Sequence, residues 1–196
     1  PEGLVFVRNA TQGVNAVLGS LDLGPGDEVI ATDHRYGAVA QGLRRMALDT
    51  GCSLVEVPVP FPLSGQDEIA RALEHALSSR TRLVVLDHGT SPTALVFPVA
   101  DICRLARERG SFVLVDGAHA PGMLDLDVRS LGADAWVGNL HKWVCAPRGA
   151  AVLWVAPEHR EGIHPVSVSH DFGKGLHAEF DWTGTDDVTP WLAAAD

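Results

Sequence analysis

Two lysines among fifteen basic residues confine any amine chemistry to two positions, Lys142 and Lys174. Lys142 lies in ADAWVGNLHKWVCAP, apolar on both sides, whereas Lys174 sits between glycines in DFGKGLH. Lysine is rarely buried without a task, and a desolvated lysine loses pKa and becomes a nucleophile able to form a Schiff base. The plainer alternative, a solvated loop lysine, fits Lys174 much better. Other chemically able side chains close apolar runs in the same way. His34 follows EVIAT, His88 follows RLVVLD, Asp116 ends SFVLVD with His119 three residues on, and His141 directly precedes Lys142.

Asp116 alone is ambiguous. A carboxylate at the tip of a buried strand can bind a ribose, a metal, a helix start or a cationic ring nitrogen. His119 could join it on a metal, but D-x-x-H lacks a third ligand at short spacing. Asn9-Ala10-Thr11-Gln12-Gly13 lies between the apolar run LVFV and a helical stripe at Val14, Val17, Leu18 and Leu21. Small residues and a threonine at a helix start offer backbone N–H groups and a hydroxyl to an anion, typically phosphate. An ordinary capping threonine would read the same. Neither G-x-G-x-x-G after a strand nor G-x-x-x-x-G-K-[ST] occurs, so dinucleotide and P-loop binding have no support.

The elements that must position these residues alternate. Strands are expected at Glu28–Thr32, Ser53–Val59, Arg82–Asp87, Ser111–Val115, Ala135–Val137 and Ala150–Val155. Helical stripes run from Tyr36 to Ala47, from a Ser64 N-cap through Leu77, and from Pro98 to a stop at Gly110. Strands apolar on both faces and alternating with helices argue for a mostly parallel sheet covered by helices. Ligands of such sheets sit beyond the carboxyl ends of the strands. Four of these six strand ends carry His, Asp or Lys, which chance placement does not readily give.

Composition narrows the partners. Twenty-five acidic against fifteen basic residues give a net charge of −10, unfavourable for nucleic acid or an anionic membrane. No apolar run approaches the ~20 residues of a membrane helix, and no signal peptide is expected at the N-terminus. Cys52, Cys103 and Cys145 are far apart and lack C-x-x-C spacing, which favours a cytoplasmic setting over a disulfide scaffold. Residues 1–155 are expected to form a cofactor-binding domain that starts part-way. Residues 156–196 would complete it and lead toward a C-terminal domain outside the chain.

An anion site at a helix start, a strand-end Asp, histidines beside the site and one lysine in apolar context are all used by a single cofactor, pyridoxal 5′-phosphate (PLP). The chain resembles the fold-type I, class V superfamily of PLP enzymes. Within that superfamily it is most similar to isopenicillin-N epimerase-like proteins. The stretches carrying the resemblance are NATQGVNAVL, LGPGDEVIATDHRYGA, LDHGTSPTALVFPV, VLVDGAHAPG, GNLHKWVCAPRG and EFDWTGTDDVTPWLA. It implies a three-layer α/β sandwich, the large domain of PLP transferases.

The resemblance also implies roles. Lys142 would carry the cofactor as a Schiff base, and Asp116 would pair with the pyridinium nitrogen. His119 stands where a partner of the ring hydroxyl is found, often a glutamine. His34 would stack on the ring, with Tyr36 competing for that place. Ala10, Thr11, Asn139 and His141 would hold the phosphate, although desulfurases usually carry serine at the Asn139 position. Ser91 replaces an asparagine that desulfurases place near the ring. Gly184 and Thr185 resemble a segment that reaches the phosphate of a partner subunit, implying a homodimer with a shared site.

The activity this implies is Cα deprotonation of an amino acid, with Lys142 as base on one face and His34 or Tyr36 as donor on the other for epimerisation. A C–S lyase, desulfurase or aminotransferase shares the first step. Two different classes compete: a non-catalytic PLP-type domain, and a metal hydrolase built on His34, His88, Asp116 and His119.

Overall fold

In this computed structural model residues 2–65 and 67–194 are described. Seven strands form one sheet: β1 (Leu4–Val7), β2 (Glu28–Thr32), β3 (Ser53–Val57), β4 (Thr81–Asp87), β5 (Phe112–Asp116), β6 (Ala135–Asn139) and β7 (Ala151–Val155). Their spatial order is β1-β7-β6-β5-β4-β2-β3. β3, β2, β4, β5 and β6 run parallel, and β7 is antiparallel to both neighbours. Only the short segment between Asn139 and Ala151 joins β6 to β7, too little chain for a parallel crossover. Since Val7 and Asn139 both pair with Ala151, the carboxyl ends of β1 and β6 lie on the same edge as those of β2, β4 and β5.

Helices cover both faces. α1 (Ala10–Ser20) and α2 (Gly37–Thr50) pack one face, where Val14, Val17 and Leu43 meet Val85, Leu114 and Val137. α3 (Asp67–Ala76) and α4 (Val99–Glu108) pack the other through Ile69, Leu73, Ile102 and Ala106. The short helices α5 (Leu176–Asp181) and α6 (Thr189–Ala193) follow the sheet, and Leu176 and Phe180 of α5 join the α1 side of the core. The result is the expected three-layer sandwich.

Several boundaries moved. The strand expected to reach Val59 ends at Val57, and the Val59 N–H is held by the Asp33 side chain instead of a neighbouring strand. Among the described residues the Ser64 hydroxyl makes no capping bond to α3, and the Ser64 N–H is taken by Glu68 Oε2 at 3.0 Å. The N-cap of α1 is Asn9, whose Oδ1 accepts from the Gln12 N–H at 2.8 Å, so Thr11 lies inside the first turn. Gly13 lets that turn approach β6, since a Cβ there would stand 2.8 Å from Val137 Cγ1.

The connections fix where a ligand can enter. The chain leaves β2 along α2 toward β3 on one face, and leaves β4 along α4 toward β5 on the other. Adjacent strands whose connections diverge open a crevice at their carboxyl ends. His34 and Asp87 flank that crevice.

Candidate active site

The carboxyl edge gathers most of the residues singled out by sequence. Asp87 and Asp116 are register partners at the ends of β4 and β5, and both are buried. Alternation from Val85 and Leu114 puts the two carboxylates on the α1–α2 face, side by side. Asp116 Oδ1 accepts from the Ala118 N–H at 3.0 Å. Neither acid forms an ion pair among the described residues. Burial pushes the Asp87 carboxyl up to about 8, reinforced by the charge of Asp116 and opposed by the Tyr36 N–H, Arg35 and Lys142. Burial also raises Asp116, against the Ala118 hydrogen bond and Lys142.

Lys142 faces this acid pair from the loop after β6. Its Nζ lies 2.9 Å from His119 Nε2, and the Trp143 indole N–H donates to His119 Nδ1 at 3.2 Å. Burial lowers Lys142 below the ordinary lysine value, although Asp116 and Asp87 pull it upward. His119 is lowered by burial and by the Lys142 charge. Lys174 is exposed and paired with Asp171 at 2.7 Å. The two lysines therefore differ as their sequence contexts predict.

His34 is buried at the start of the loop after β2. Its Nε2 faces the Val59 carbonyl at 3.0 Å, and its Nδ1 faces Thr93 Oγ1 at 2.7 Å. A carbonyl only accepts, so Nε2 carries the proton and Nδ1 accepts from the hydroxyl. Thr93 in turn meets Thr90 Oγ1 at 2.9 Å. Both nitrogens are thus engaged, which leaves the ring as a fixed flat surface. The proton-donor role weighed for His34 does not suit this geometry. Tyr36, at the start of α2, is 47% exposed and available to a ligand.

The anion site is partly committed. Asn139 Oδ1 accepts from the Ala10 N–H at 2.8 Å, joining α1 to the end of β6 across the sheet. With the Gln12 N–H held by Asn9, Thr11 is left as the first-turn residue whose N–H no side chain caps. His141 Nδ1 donates to the Ala150 carbonyl at 3.2 Å, so only a protonated ring could also donate from Nε2. Ser91 is exposed on the loop after β4, where Thr90 and Thr93 make the contacts instead. Gly184 lines a separate cavity of about 290 Å³ with Phe6, Arg8, Gln12 and Trp191, and exposed Thr185 follows it. The Arg8–Asp186 ion pair ties that segment to the end of β1.

Sequence reading missed Asp87, Thr90, Thr93 and Trp143. Asp87 had a signal, since it ends an apolar run as Asp116 does. The metal-hydrolase alternative finds no converging ligands. His88 Nδ1 faces the Trp136 indole N–H at 3.4 Å, and the group whose ligand atoms gather among the described residues is Asp134, Glu158 and His159. Asp134 precedes β6, on the opposite edge of the sheet.

The donor set suits PLP. Asp116 is a buried carboxylate without a basic partner, the state that a ring N–H⁺ relieves. Lys142 offers an amine beside it, His34 a flat surface, and the α1 start an anion site. Asp87 carries a pH signature in the cofactor-free chain. Its folded-state value lies above the unfolded one, so its stabilising contribution is fully present below about pH 4 and lost as the pH rises to about 8. Asp87→Asn stays neutral throughout. Its stability relative to wild type should therefore rise steadily across that window, measured as urea midpoints. A difference independent of pH would show that Asp87 ionises freely.

Fold and site together define an α/β domain with an amine-bearing cofactor cradle at a sheet's switch point. A family model described as aminotransferase class-V matches residues 1–178. The chain belongs to the aminotransferase class-V family. It is 36% identical to isopenicillin N epimerase of Streptomyces clavuligerus over 212 aligned positions, covering all of this chain and 53% of that protein. The probable chloroplastic L-cysteine desulfhydrase of Arabidopsis thaliana is 35% identical, with 85% of this chain and 37% of that protein covered. Among solved structures, a mutant of C-DES with glycine covalently linked to the PLP cofactor superposes with a TM-score of 0.86 at 28% identity. That match covers 99% of this chain and 54% of C-DES. The chain thus spans about half the length of isopenicillin N epimerase and C-DES, and less of the desulfhydrase.

Proposed function

We propose that the chain is the cofactor-binding part of a PLP-dependent enzyme that acts on an amino acid by removing its Cα proton, with epimerisation the foremost outcome. The observation that carries this is the Lys142 amine held beside two buried strand-end acids at the switch-point edge. Bound PLP supplies an electron sink for the pair left at Cα. Asp116 keeps the proton on the ring nitrogen, which holds that sink open. Lys142 would anchor the cofactor and, as a free amine, would take the Cα proton at Nζ. His34 supports the ring with both nitrogens occupied. The Tyr36 hydroxyl is the donor for the opposite face. Thr11, Ala10, Asn139 and His141 surround the phosphate, while Ser91 borders the ring.

A homodimer in which Gly184 and Thr185 reach the partner's phosphate belongs to the same proposal, as does a cytoplasmic location. The 290 Å³ cavity beside Gly184 leaves apolar surface for a neighbour. C–S lysis is the second reading, favoured by the 35% identity to an L-cysteine desulfhydrase. A desulfurase is less favoured, because Ser91 stands where desulfurases place an asparagine near the ring.

The test adds PLP to the purified chain, follows its visible absorbance, reduces with borohydride and maps the modified peptide. Modification at Lys142 is expected. Modification confined to Lys174, or none in a folded chain, would overturn the proposal. Amino acids incubated in D2O then separate the outcomes: deuterium at Cα with inversion marks an epimerase, and sulfide release from cysteine marks a lyase.

A further inference from the structure

We infer that Trp143 is a positioning residue that pins His119 in its Nε2–H tautomer, so that the imidazole donates to Lys142 Nζ and holds that lysine as a free amine. The inference follows from hydrogen-bond valence. An indole N–H can only donate, so His119 Nδ1, 3.2 Å from Trp143 Nε1, must be bare. A ring with bare Nδ1 cannot be the imidazolium, and its one proton is on Nε2. Nε2 lies 2.9 Å from Lys142 Nζ. An ammonium has no lone pair to accept that N–H, whereas a neutral amine has one. The Trp143–His119–Lys142 chain is therefore self-consistent only with Lys142 deprotonated.

The surrounding charges make this arrangement informative. Asp116 and Asp87, from the ends of β5 and β4, favour the ammonium, with Arg35 from the loop after β2 acting on Asp87. Burial opposes them and dominates. Burial alone lowers the charge of Lys142 but does not choose a tautomer for His119; the indole does. Gly122 keeps the two loops close enough for this contact. A Cβ on it would come within 2.8 Å of the Trp143 carbonyl carbon, and its φ of +77° suits glycine. The consequence for function rests on the cofactor reading above, because a neutral amine is the form that attacks a carbonyl. The tautomer itself does not depend on it.

The experiment uses the cofactor-free chain in two measurements. Long-range ¹H–¹⁵N spectra of the histidine rings, with His119 assigned by His119→Gln, report the tautomer directly. Acetic anhydride labelling across a pH series reports the fraction of Lys142 present as amine, with exposed Lys174 in the same sample as reference. His119 is expected as the Nε2–H form in wild type and as a mixture of tautomers in Trp143→Phe, which keeps an aromatic ring but removes the donor. The half-labelling pH of Lys142 should rise in Trp143→Phe by about half to one unit, as expected for loss of one hydrogen bond's net worth, and should rise in His119→Gln as well. An Nδ1–H tautomer in wild type, or a labelling profile unmoved by both substitutions, would overturn the inference. Absorbance with added PLP is recorded separately. A chain that shows the tautomer and the shift but binds no PLP refutes the proposed function and leaves this inference standing.

Discussion

Lys142→Ala should abolish turnover while leaving the folded chain intact. The side chain is half-buried at the rim of the site and, among the described residues, partners only His119, so its removal costs little packing. Two contributions disappear together. The amine is the sole anchor by which a covalent cofactor could be held here, because Lys174 is exposed and paired with Asp171. In the proposed function it is also the base, and a positioned acid or base typically contributes about 10²–10⁴ in rate. Loss of at least about four orders of magnitude is expected, with the visible absorbance of added PLP reverting to that of the free aldehyde. Thermal denaturation should shift by no more than a few degrees. A variant that keeps turnover would show that the chemistry does not pass through Lys142, and the proposed function would fall with it.

How much of this site was readable from the chain depends on how far each signal reaches. Lys142 and Asp116 were visible because burial of a charge is written into the neighbouring residues: each sits against an apolar run that forms a buried strand. The sheet was visible for the same reason, since apolar runs of strand length alternate with helical stripes. Partnerships across the sheet were not. Asn139 is bound to Ala10, 129 residues away, and no local pattern announces that the amide will stitch α1 to β6. Thr93 and Thr90 resemble ordinary turn residues until β2 and β4 become neighbours and bring His34 to Thr93. Asn9 outcompeted Thr11 as the cap because Asn9 is in extended backbone immediately before the first helical residue, a one-residue distinction that composition cannot resolve. Asp87 was legible and overlooked: it ends RLVVLD as Asp116 ends SFVLVD, and parallel pairing sets them side by side.

Gly117→Ala should be among the most destabilising single changes in the molecule, by about 3 kcal/mol or more. Trp136 is fully buried in β6, and its indole lies across Gly117 and Gly138. A Cβ on Gly117 would stand 2.3 Å from Trp136 Cε2, and one on Gly138 would stand 2.3 Å from Cη2. Neither partner can yield, because the ring is walled in by the α4-side core and its N–H faces His88. Gly117 and Gly138 admit the indole. Gly19→Ala provides the contrast: it lies within α1, meets nothing within 4 Å, and should stabilise the chain by about 0.5–1 kcal/mol through helix propensity. If the clash is the cause, Gly117→Ala should cost markedly less in a Trp136→Phe background, a coupling that a double-mutant cycle in urea would resolve. Additive costs would mean that Gly117 is needed for its backbone alone. The same substitution should weaken PLP binding beyond its effect on folding. Gly117 stands between Asp116 and His119, and displacing it moves together the carboxylate proposed to pair with the ring nitrogen and the imidazole that faces Lys142.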